Sequence, residues 1–211
     1  MSESEAGGVA LTGTPEGMAA IHRPDCAAVI WRRDPLPRFT SWIDALRPEC
    51  LPQARLILRP TTVRDAAHQL LAASQCPDCA ERAMLADDTA ALANLFASLM
   101  RAPFLRLRLD VVATNACCLF HTDAITARLI CTYRGTGTQY GVSADGGRPP
   151  QIFTVPTGAP ILLRGKLWPE RPASGLLHRS PPIEGTPETR LVLVLDPIQT
   201  LDEVQGHEIL H

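Results

Sequence analysis

The chain has 211 residues, 45% of them hydrophobic and 20% charged, with a formal net charge of −2. That length accommodates one core and a small accessory layer. The charge supplies no basic field for nucleic acid and no polybasic patch for a membrane surface, and no apolar run approaches the roughly 20 residues of a membrane-spanning helix.

The chain opens Met-Ser-Glu-Ser-Glu, acidic and polar, where a secretory signal would be basic and then apolar. A cytoplasmic location is therefore expected, and residues 1–18, rich in Gly, Glu, Ser and Thr, are expected to form a mobile N-terminus. Seven cysteines, odd in number and irregular in spacing, argue for thiols rather than a disulfide framework. Nineteen prolines separating the apolar runs predict many short elements joined by turns.

Residues 19–102 read as a mainly helical support region. Ala27 to Trp31 is an apolar strand candidate bounded by Pro24 and Pro35. Phe39, Trp42, Ile43 and Leu46 recur at helical spacing before Pro48, predicting a helix over 37–47. Arg55 to Leu58 reads as a strand ending at Pro60. Thr62 is placed to cap a helix running to about Ser74, with Val63, Ala66, Ala67, Leu70 and Leu71 on one face. Asp78, with Glu81 at the reciprocal position, is placed to cap a long helix over 79–101 whose stripe is Leu85, Leu92, Leu95, Phe96 and Leu99.

At Pro103 the period changes from helical to two. Leu105 to Val111 alternates apolar and polar, the pattern of a strand with one wet face. Further strands are expected at 128–133, 151–155, 158–163 and 191–195. Pro160 puts the strand at 158–163 at an edge or a strand start, and the last is apolar enough to be buried on both faces. Short strands with Gly/Pro turns point to a sandwich or barrel over 103–197, leaving 198–211 as a C-terminal tail.

The chemistry gathers in that second half. His121 and Asp123 are two apart, so on a strand they point to one face. His178 follows 57 residues later, a separation that a barrel can close. Two histidines and a carboxylate form the ligand set of the 2-His-1-carboxylate facial triad, which holds Fe(II) with positions left open. Zn(II) accepts the same residue types. No Gly-x-Ser-x-Gly elbow, P-loop or His-Glu-x-x-His is present. Cys76 and Cys79 form a Cys-x-x-Cys pair, either half of a zinc site completed by Cys117 or His68, or a redox pair at a helix start.

This arrangement resembles the double-stranded β-helix of the Fe(II)/2-oxoglutarate dioxygenases, with the motif order of the prolyl-hydroxylase-like branch. After His121-Thr122-Asp123 come Arg128, Thr132 and Tyr133, then the Gly135 to Thr138 turn, then Pro156 and Gly158 before Ile161-Leu162-Leu163. Arg190 stands 12 positions after His178, where the resemblance places the basic residue that holds the distal carboxylate of 2-oxoglutarate. A guanidinium suits that task because it pairs bidentately with a carboxylate. The resemblance implies Fe(II) and 2-oxoglutarate as cofactors, with Arg190, Tyr133 and Arg128 as cofactor or substrate contacts. The substrate, small molecule or protein, is left open, as is the oligomeric state.

The whole chain also resembles a bacterial domain-of-unknown-function family, DUF1826, through Arg23 to Arg33, Cys118 to Asp123, Arg128 to Thr138 and Leu176 to Pro182. That family is associated with zinc-homeostasis genes, which implies a link to metal and keeps open the alternative of a zinc-binding protein without turnover. The expected fold class is α+β, with N-terminal helices packed on a C-terminal double-stranded β-helix, a jelly-roll-like barrel.

Overall fold

A computed structural model describes residues 7–169 and 175–200. In chain order its strands are β1 (Val9–Thr12), β2 (Ala28–Trp31), β3 (Ala54–Leu58), β4 (Phe104–Val112), β5 (Ala127–Arg134), β6 (Gln139–Val142), β7 (Phe153–Thr154), β8 (Pro160–Arg164), β9 (Leu176–Arg179) and β10 (Arg190–Ile198). The α-helices are α1 (Pro37–Ala45), α2 (Val63–Ala73) and α3 (Ala80–Met100). The molecule is thus a mixed α+β protein with a large sheet, and no helix among the described residues is long and apolar enough to cross a membrane.

Seven strands form one sheet in the order β1-β2-β8-β5-β10-β4-β3, and three form a second, β7-β6-β9. The β1–β2 pair is parallel; the other strand pairs are antiparallel. The period of two explains how the large sheet serves two cores. On β4, Leu105, Leu107 and Leu109 join Leu85, Leu92 and Phe96 of α3 in the core beneath the helices. On β10, Leu191, Leu193 and Leu195 face that same core, while Val192 and Val194 face the opposite way. There they pack with Ile130, Ile161 and Leu163, and with Tyr140 and Leu176 of the small sheet. The expected burial of Leu191 to Leu195 on both faces is found, each being at most 6% exposed.

Several local readings need correction. Residues 7–18 are not an unattached tail: β1 pairs with β2, and Met18 is fully buried. The large sheet takes β1, β2 and β3 from before residue 102 as well as strands from after it. Thr62 does not cap α2, its hydroxyl donating back to the Arg59 carbonyl. Asp78 does not cap α3 either; it pairs with Arg82 one turn on. Pro160 does open β8, but in a central strand, where it needs no ladder donor at the first position. The expected tail is described only as far as Thr200.

Candidate metal centre

His121 and His178 are brought together by the backbone. Each donates its N–H to the other's carbonyl at 3.0 Å, an isolated antiparallel bridge that extends β9 toward the segment before β5. Residues directly opposite in an antiparallel pair carry neighbouring side chains, and the two imidazole centroids are 4.6 Å apart. Asp123, two residues after His121, falls on the same side. One ligand atom from each of the three lies within 4.8 Å of the others, the only such group of His, Cys, Asp or Glu among the described residues.

The loop carrying Asp123 is fixed from below. Lys166 N–H donates to the Asp123 carbonyl at 2.8 Å and Gly165 N–H to the Thr126 carbonyl at 2.9 Å. A Cβ at Gly165 would come within 2.0 Å of the Ile125 carbonyl oxygen, so only glycine allows this approach.

The electrostatics favour a cation. Oδ1 of Asp123 accepts from Arg128 Nη1 at 2.6 Å, whereas Oδ2 is buried without a hydrogen bond. His178 Nε2 lies 3.2 Å from Oδ2, close enough for the two atoms to share one ion. Burial acts to raise the Asp123 pKa. It is outweighed by the adjacent His178, by Arg128 and by His121, which together hold the carboxyl at about 2. His121 Nδ1 is 2.8 Å from the Leu119 carbonyl. Donation there fixes the tautomer and leaves the Nε2 lone pair available to a cation.

Arg128 is the hinge of this arrangement. Its Nε and Nη2 reach both oxygens of Asp196 at 2.7 and 2.8 Å while Nη1 holds Asp123. It therefore grips the Asp123 carboxylate from the wall of the cavity that both residues line. Asp196 escaped the sequence reading, although a lone carboxylate at an even position of β10, on the face of Arg190, was a visible signal. Asp196→Asn removes one charge from a buried pair, and a loss of about 3 kcal/mol follows from the cost of an under-compensated buried cation. Thermal melting should show a Tm fall of roughly 6–12 °C.

Arg190 opens β10 on the same face as Val192 and Val194 and is 1% exposed. Its partners are neutral: the Thr136 carbonyl at 2.6 Å, Ser180 Oγ at 3.1 Å and Thr132 Oγ1 at 3.3 Å. Glu188 instead accepts from Thr136. Burial without a carboxylate partner pulls the guanidinium down to about 10, with Glu188 opposing. Arg190 lines one cavity of about 380 Å³ together with His121, Asp123, His178 and Arg128, within the range of small-molecule sites.

Tyr133 does not reach that cavity. It is five residues from Arg128, an odd separation, so the strand turns it to the helical face. There its hydroxyl donates to Asp88 Oδ2 at 2.7 Å, and Asp88 also pairs with Arg33. Tyr133→Phe should cost about 1–2 kcal/mol in denaturant unfolding and leave metal and 2-oxoglutarate affinity unchanged.

The cysteines are likewise divided by the sheet. Cys76 is buried in the helical-side core, and burial, aided by Cys79 and Cys50, pushes its thiol up to about 11, the reverse of an activated thiolate. Cys117 is exposed and lines the His/Asp cavity. Cys76, Cys79 and Cys117 therefore do not converge, and His68 lies instead beside Asp87.

Among solved structures, the chain is similar to the dioxygenase for auxin oxidation 1 from Arabidopsis thaliana, determined with 2-oxoglutarate. The identity is 12% and the TM-score 0.46, over 72% of this chain and 64% of that one, so the chain spans under two thirds of the plant protein's length. It is also similar to the dioxygenase for auxin oxidation from rice, with 13% identity and a TM-score of 0.48 over 90% of this chain and 80% of that one. No curated protein matches the sequence. Residues 12–196 match the family described as protein of unknown function (DUF1826). The chain belongs to this DUF1826 family.

Proposed function

We propose that this protein is a non-haem Fe(II)/2-oxoglutarate-dependent oxygenase on a double-stranded β-helix, with the helices of 19–102 supporting a site carried by 103–197. The observation that supports it most is the pairing, in one cavity, of three convergent ligand side chains with a buried arginine that has no carboxylate partner. A zinc-only site would have no need of that second feature. The two facing sheets, with the site between them, support the β-helix reading.

His121, Asp123 and His178 would hold the metal, their chemistry being that of a facial triad. Fe(II) with 2-oxoglutarate supplies the oxidising chemistry, in which O2 is reduced, the oxoacid is converted to succinate and CO2, and one oxygen enters the substrate. Arg190 binds and orients the distal carboxylate of 2-oxoglutarate, held in place by Thr132, Thr136 and Ser180. Arg128 fixes the Asp123 carboxylate so that Oδ2 remains available. Ile130, Val192 and Val194 line the cavity and keep water from its floor.

The test is succinate release from 2-oxoglutarate by purified protein given Fe(II), ascorbate and O2, compared with Zn(II)-loaded protein. Even without substrate, slow iron-dependent succinate formation is expected. Equal inactivity with both metals, together with a failure of 2-oxoglutarate to bind, overturns the assignment.

A further inference from the structure

The cavity holds one arginine more than its carboxylates and the cosubstrate require. Arg128 is held by Asp123 and Asp196. Arg179 gives Nε to Gln139 and Nη1 to the Cys118 carbonyl, and its guanidinium lies over the Phe120 ring. Arg190 is taken by the cosubstrate in the reading above. Arg108 remains.

Arg108 projects from the wet face of β4 into the same cavity. Its side chain is 21% exposed, and among the described residues its only ion pair is a 3.6 Å approach of Nη1 to Asp110. Its Nε is buried with no hydrogen-bond partner. The register adds to the strain, because Arg55 of β3 stands directly opposite it, and like charges across an antiparallel pair repel. Burial, Arg128 and Arg55 all disfavour its charge, against only Asp110 and Asp196.

An anion removes each of these penalties. Four arginines line the cavity with two carboxylates, Asp110 and Asp123, and Arg128 also pairs with Asp196 behind it. A divalent metal and a 2-oxoglutarate dianion cancel one another, so one positive charge stays uncompensated. Arg108 is also far enough from Arg190 to serve a separate group. It pairs with Val194, four residues along β10 from Arg190, which sets the two backbones about 14 Å apart at ~3.4 Å per residue and ~4.8 Å per strand. Between them lies the apolar strip of Val192, Val194 and Ile130.

We infer that the substrate of this site is a small molecule bearing one oxyanion, a phosphate or carboxylate, gripped by Arg108 with Arg55 at the rim, its uncharged part lying over Val192, Val194 and Ile130. The word substrate rests on the oxygenase reading; the anion site itself does not.

The full chain, loaded with Mn(II) and saturated with 2-oxoglutarate, is titrated calorimetrically with inorganic phosphate and separately with acetate. At least one anion should bind, whichever binds more tightly identifying the substrate's group. Arg108→Gln should weaken it at least tenfold and Arg55→Gln about threefold, with the Kd for 2-oxoglutarate unchanged within twofold. Arg108→Lys, which keeps the charge and loses the fork, should fall between wild type and Arg108→Gln, so the comparison survives poor folding of the glutamine variant. Binding of neither anion to wild type, equal binding to Arg108→Gln, or displacement of 2-oxoglutarate by the anion overturns the inference. If 2-oxoglutarate fails to bind while an Arg108-dependent anion still does, the oxygenase reading fails and the anion site stands.

Discussion

His178→Ala is expected to lower Fe(II) affinity by at least about 100-fold, since even the outer partners of metal ligands are worth roughly 10–100-fold. The fold should survive, because the bridge between His121 and His178 is made by main-chain atoms that alanine retains. The loss therefore reports the imidazole. Calorimetric Fe(II) titration of wild type and variant measures it. An affinity unchanged by the substitution removes His178 from the site.

Arg190→Met should leave metal binding intact and weaken 2-oxoglutarate by at least about 30-fold, the equivalent of ~2 kcal/mol and the lower end of the cost of truncating one partner of a buried charge pair. The ligand-free protein should respond differently. Removing a buried cation with no carboxylate partner relieves a desolvation cost, while the Thr136 carbonyl loses a 2.6 Å donor. These oppose one another, and Tm should stay within about 3 °C of wild type. Separate measurement of 2-oxoglutarate affinity and melting divides an anion clamp from a structural arginine. A large fall in Tm with unchanged 2-oxoglutarate affinity would mark Arg190 as structural alone.

Much of the large sheet was legible because its residues obey simple periods. The alternation of Leu105, Leu107 and Leu109 with Arg106, Arg108 and Asp110 gives β4 and its wet face. The unbroken apolar run from Leu191 gives β10. The small sheet was less legible: β6 and β9 are four residues each, too short for either period to register. The helix caps failed because Thr62 and Asp78 found other partners, the Arg59 carbonyl and Arg82. Tyr133 was grouped with Arg128 by motif order, although strand parity sends residues five apart to opposite faces. Arg108 stands out only once register places it across from Arg55.

The most direct test of the account is an anaerobic Fe(II) titration of the full chain with and without 2-oxoglutarate. One equivalent of Fe(II) should bind, 2-oxoglutarate should bind tightly only when the metal is present, and by linkage each should raise the other's affinity by the same factor. Substoichiometric iron, or 2-oxoglutarate binding indifferent to the metal, would contradict a shared site built by His121, Asp123, His178 and Arg190.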